Sequence, residues 1–175
     1  MALYHFSEDP SLERFVPRAP LARPHVEPQV WAIDDWHAPV YYVPRDCPRV
    51  CFWPGPATTE EDRERFFAYV SARMVVVIEA GWFERLGATR LYRYLMPDEP
   101  FDSLHDNGMY VSRQTVIPLR VDALNYLPTH LLNEDVELRV TLSLVPLGKA
   151  IIGATLQFSL IRMRNAIGWD SPAIT

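Results

Sequence analysis

Long apolar runs are missing from this 175-residue chain: the longest, from Met74 to Ile78, is only a few residues, whereas a bilayer-spanning helix needs about 20. No membrane partner is expected. Glycine is scarce and dispersed, with seven in all, and no G-x-x-x-x-G-K, G-x-G-x-x-G or G-x-S-x-G occurs. This removes the phosphate-cradling loop, the dinucleotide fingerprint and the nucleophile elbow. The two cysteines, Cys47 and Cys51, have no second pair to complete a zinc ribbon, so ordinary thiols are expected. The five histidines show neither H-x-x-x-H nor H-x-H spacing, and no metal is expected. Positive charge is also short, with 17 Lys and Arg against 22 Asp and Glu and a net charge of −5. The basic residues are scattered, which argues against nucleic acid as a partner. The first residues lack the basic and apolar regions of a signal peptide, so a cytoplasmic location is expected.

What is there is ordinary globular composition, 49% apolar and 22% charged, over a length suited to one domain, 1–175. Ten of the sixteen prolines precede residue 57. Proline fixes φ and disfavours helix in the residue before it, so the first third must be largely extended and irregular. Alternation and β-branched content predict strands over Leu3–Phe6, Val30–Ile33, Arg49–Trp53, Met74–Glu79, Leu91–Leu95, Met109–Ser112, Thr115–Val121 and Val136–Leu144. Ser11 to Phe15 predicts one helical turn, and Val16 to Pro28 a long surface loop. Thr58-Thr59-Glu60-Glu61 predicts a capped helix running to about Val70. Short helices are expected at Trp82–Leu86, ended by Gly87, and near His130–Asn133. Pro146 predicts a last helix carrying Leu147, Ala150, Ile151, Ala154 and Phe158 on one face. With no internal repeat and no low-complexity linker, the expected class is α+β: small mixed or antiparallel sheets with peripheral helices.

Four groups of residues bear on chemistry. His5, on the first strand beside tyrosines, can donate to ribose hydroxyls while a Tyr ring offers a flat stacking face; a half-buried structural histidine is the plainer alternative. Asp34, Asp35 and His37 have metal-ligand chemistry, but a capped helix start with a solvated histidine explains them more cheaply. Glu79 ends the Val-rich strand and is either a site carboxylate or, as favoured here, a solvated strand end. Arg162 and Arg164 share a face if extended and then make an anion clamp, with surface pairing to acidic neighbours as the alternative.

Leu3-Tyr4-His5, a short helix, a Pro-rich loop, the strand Val30-Trp31-Ala32-Ile33 and a turn bearing Ala38 and Tyr41 together resemble the opening of ADP-ribosyltransferase-like domains. Met109 to Pro118 resembles the late strand of those domains, which carries a third motif residue. The resemblance implies an ADP-ribosyltransferase-like fold and NAD as cofactor. In that scheme His5 binds ribose, Tyr41 stacks on nicotinamide with Tyr42 competing for the role, Ser112 lies beside the cofactor, and Gln114 stands third. Gln114 is a neutral amide where the active transferases usually carry a carboxylate, and Glu79 is the other acidic candidate for catalysis. The chain also looks like an uncharacterised bacterial family of unknown function, through Leu3 to Pro10, His37-Ala38-Pro39, Pro44 to Val50 and Ile161 to Ala166. Two expectations follow: a domain that binds NAD or a related nucleotide and transfers ADP-ribose, or a non-catalytic ligand-sensing or protein-interaction domain. Oligomeric state is left open.

Overall fold

A computed structural model describes residues 1–19, 25 and 27–169. It contains helices and two sheets of six and four strands, the α+β class. The chain forms two compact units, one from 1–41 with 90–125 and the other from 42–89 with 126–175. Among the described residues no helix is long and apolar enough to cross a membrane.

The first unit is built on β1 (Leu3–Ser7), β2 (Val30–Asp34), β5 (Leu91–Met96), β6 (Asp102–Ser103), β7 (Met109–Ser112) and β8 (Arg120–Leu124), in the order β6-β7-β2-β1-β5-β8. All its pairings are antiparallel. Side chains alternate between faces along each strand. Leu3, Val30, Ala32, Tyr94 and Met96 therefore fall on one face, where they form a core with Phe15 and Val116. Tyr4, Phe6, Trp31, Ile33, Arg93 and Met109 fall on the other.

In this unit the expected helical turn at Ser11–Phe15 does not form, and Phe15 lies in an antiparallel bridge instead. Tyr94 Oη donates to the Asp9 carbonyl at 2.6 Å and accepts from Leu12 N, and Phe15 forms a two-way bridge with Val116. Val116 takes part only in that bridge, and the strand expected over Thr115–Val121 begins at Arg120, past Pro118.

The second unit holds β3 (Arg49–Trp53), β4 (Met74–Glu79), β9 (Val136–Thr141) and β10 (Gln157–Ile161), ordered β10-β3-β4-β9, with β4 and β9 parallel. Every residue of β3 and β4 is buried, as expected of strands covered on both faces. On one face Val50, Phe52, Val75 and Val77 pack with Phe66 and Phe67 of α1 (Glu60–Phe67) and Ile151 of α4 (Val145–Ile152). On the other face Cys51, Trp53, Val76 and Ile78 are buried. Two further helices are α2 (Phe83–Ala88) and α3 (Leu127–Asn133), and α3 packs on β9.

Thr59 caps α1, accepting from Asp62 N, but the helix stops at Phe67 rather than Val70. Gly87 lies inside α2 and does not end it. The last helix closes at Gly153, so Phe158 belongs to β10, a strand the helical spacing had concealed.

Candidate functional site

The sheet of the first unit has a break at its centre. β1 pairs with β5 along its whole length, from Leu3–Met96 to Ser7–Tyr92, but its pairing with β2 stops after Leu3–Asp34 and Tyr4–Ile33. Beyond Tyr4 the imidazole of His5 enters the gap, with Nδ1 2.8 Å from the Trp31 carbonyl oxygen. A carbonyl only accepts, so Nδ1 carries the proton and donates. The ring also packs on Phe15, centroids 4.6 Å apart.

A pocket of about 90 Å³ opens at this break, lined by Tyr4, His5, Phe6, Trp31, Ala32, Ile33, Tyr41 and Met109. On this measure one water needs about 10–15 Å³, so the space is large enough for one planar ring. Tyr41 reaches it from the 3-10 helix Ala38–Tyr41. Its ring stacks on Phe6 at 6.1 Å with 11° between planes, and its hydroxyl faces Met109 Sδ at 3.9 Å. Tyr4 stands 6.3 Å from Phe6, so three aromatic rings form a continuous wall.

The start of that 3-10 helix is fixed by Asp34. Its Oδ1 accepts both from His37 N and from His37 Nδ1, each at 2.8 Å, so His37 is half-buried and held rather than solvated. Gly108 permits this. Its φ is +71°, and a Cβ there would collide with His37 Nδ1 and meet Asp34 Oδ1 at 2.7 Å. Among the described residues no group of three His, Cys, Asp or Glu side chains is placed to hold a metal ion.

Of the residues singled out from the sequence, His5 and Tyr41 line the pocket. Ser112 and Gln114 do not. Ser112 pairs with Val30 on the core face, its hydroxyl accepting from Gln114 N at 3.1 Å, and the Gln114 residue is exposed. Tyr42 and Glu79 belong to the second unit. Tyr42 is buried edge-on to His130 at 6.4 Å. Glu79, expected as a solvated strand end, is 2% exposed. Its carboxylate accepts from Leu144 N at 3.2 Å and from Ile167 N at 3.2 and 3.3 Å.

The arginine clamp also differs. Arg162 has φ +55° at the start of a 3-10 turn over Met163–Asn165, so Arg162 and Arg164 are not alternate residues of one strand. Arg162 Nε instead donates to the Arg45 carbonyl. The expected surface loop, Val16 to Pro28, includes residues 20–24 and 26, which lie outside the described residues.

Phe6, Trp31 and Met109 were not anticipated as pocket residues. Alternation along Leu3–Phe6 did place Tyr4 and Phe6 together, and that was the one signal available.

The cysteines are buried, and burial pushes both thiols up to about 12. A raised thiol pKa favours the neutral folded form, so this contribution is intact below the ordinary thiol pKa of 9.0. It is lost as pH rises from there toward 12. Ellman's reagent at pH 8 is expected to leave both thiols unmodified in the folded protein and to titrate both in denaturant. Rapid labelling of the native chain would contradict this burial.

A family model matches residues 4–166, that of a family of unknown function, DUF6886. The chain belongs to DUF6886. No curated protein and no solved structure matches it. For this DUF6886 chain the pocket at the β1–β2 break is therefore the principal guide to function.

Proposed function

We propose that the first unit binds NAD or a related nucleotide, with a planar ring seated in the pocket between β1 and β2. The observation that carries this reading is the broken ladder. Where β1 and β2 part, the His5 ring spans to the Trp31 carbonyl and a pocket walled by aromatic side chains opens beside it. Tyr4, Phe6, Trp31 and Tyr41 supply flat apolar surface for the ring itself.

Transfer of ADP-ribose is the further step of the expected chemistry. It asks for a group that stabilises positive charge as nicotinamide leaves. None of the eight residues lining the pocket is acidic, and Gln114 is outside the lining. Ligand sensing without transfer is thus the better supported form of the reading.

A thermal-shift titration tests it. A ligand that binds only the folded state stabilises it by about 2.7 kcal/mol at a hundredfold excess over Kd. NAD is expected to raise the melting temperature of the wild type and to leave that of His5→Ala unchanged. No shift of the wild type at millimolar NAD sinks the reading. Release of free nicotinamide over hours would restore transfer.

A further inference from the structure

β8 closes one side of the six-stranded sheet, and among the described residues β5 is its one strand neighbour. Its outer edge is the kind of template to which another strand adds. From Ile117 onward every second residue is apolar: Ile117, Leu119, Val121 and Ala123. All four are exposed, Ile117 at 70%, Leu119 at 66% and Val121 at 45%. Val121 and Ala123 stand opposite Tyr94 and Tyr92 of β5, which pack in the apolar core of this unit. The stripe therefore carries the core face of the sheet out to its last strand, while Arg120 and Asp122 fall on the other face. An apolar stripe along an unpaired edge marks an interaction surface.

We propose that β8 pairs antiparallel with β8 of a second copy of this chain, joining two six-stranded sheets across a twofold axis. Charge complementarity selects both the partner and the register. A twofold that keeps the sheet continuous sets each residue opposite one on the same face, so the pairing is centred on a residue. Centred on Arg120 or on Asp122, it opposes like charges directly, which destabilises a strand pair. Centred on Ala123, it leaves both charges unmatched, and centred on Leu119 it puts Pro118, which has no N–H, inside the ladder. Centred on Val121, it sets Val121 against its own copy, Leu119 against Ala123, and Arg120 against Asp122 twice over. Arg120 Nε already lies 2.9 Å from Asp122 Oδ1 within each chain, so the two pairs meet head to tail with charges alternating in sign. Pro118 then falls just outside the ladder. Five residues from each copy make a small interface, so association is expected on the order of 100 µM.

Sedimentation velocity on the full chain, from about 10 µM to about 500 µM, brackets that affinity. The mass is expected to rise from that of one chain toward twice that value. Val121→Lys, at an exposed position, puts two ammonium groups on the axis and should hold the chain monomeric throughout with its melting temperature unchanged. Cysteine scanning reads the register. Across the axis the two Val121 Cβ atoms face each other at about 4.5–5.5 Å, so Val121→Cys should cross-link to its own copy under mild oxidation. Leu119→Cys faces Ala123 instead and should not, and the native Cys47 and Cys51 are buried and do not compete. A chain that stays monomeric at every concentration would overturn the proposal. So would a dimer that survives Val121→Lys, or Leu119→Cys cross-linking as fast as Val121→Cys.

Discussion

Replacing Glu79 by alanine is expected to cost about 3 kcal/mol of stability and to lower the melting temperature by roughly 10 °C. The carboxylate is buried at the end of β4 and accepts from Leu144 N and Ile167 N. Leu144 is the N-cap residue of α4, so the negative charge also meets the positive end of that helix. Alanine leaves two backbone donors without this acceptor, and a buried donor deprived of its partner costs about 1–3 kcal/mol. The bonds are 3.2–3.3 Å long, longer than the best charge-assisted bonds, which keeps the figure near the middle of the possible range. Glu79→Gln retains one acceptor oxygen and should lose about half as much. Thermal denaturation of the three proteins checks the order: wild type, then Gln, then Ala. An alanine variant as stable as wild type would show that water or a neighbour replaces the carboxylate.

Gly108→Ala should be more damaging than its backbone angle alone suggests. Gly108 and Gly168 have nearly the same positive φ, +71° and +73°. At Gly168 a Cβ meets nothing within 4 Å, so Gly168→Ala is expected to cost only the conformational penalty, about 1 kcal/mol. At Gly108 the new methyl collides with the Asp34–His37 pair and must displace it. We expect about 3 kcal/mol there. The start of the 3-10 helix bearing Tyr41 would loosen as well, so ligand binding should fall with stability. Equilibrium unfolding in urea gives both free energies. Equal losses would mean that the two side chains move aside freely.

Much of this architecture was legible because alternation is a local signal. β1, β2, β3, β4, β5 and β7 all sit where apolar and β-branched residues alternate or cluster, within a residue or two of expectation. The misses have long-range causes. Ser11–Phe15 has helical spacing, but a tyrosine more than 80 residues away takes the Leu12 N–H and the Asp9 carbonyl, and no helix forms. The spacing from Leu147 to Phe158 ignored Gly153, after which the chain returns as β10 alongside β3.

The lining of the pocket was half visible. Motif resemblance singled out His5 and Tyr41, which line the pocket, and alternation puts Tyr4 and Phe6 on one face of β1. The break between β1 and β2 could not be read, because it depends on which strands pair and where that pairing stops. Glu79 was misjudged for a related reason. A glutamate at a strand end favours water unless distant backbone donors converge on it, and only the fold brings Leu144 and Ile167 there.

The central claim is that a planar ring occupies the pocket beside Trp31. The chain has five tryptophans, so a two-dimensional NMR spectrum should resolve five indole signals, and only Trp31 lines the pocket. Trp53 serves as the internal control, since it is buried in β3 with its indole N–H bonded to Gln157 Oε1 at 2.8 Å. Titrating NAD to millimolar concentration is predicted to move the Trp31 signal and leave that of Trp53 in place. A Trp31 signal that stays fixed while NAD saturates, or while another tryptophan moves instead, would contradict the account.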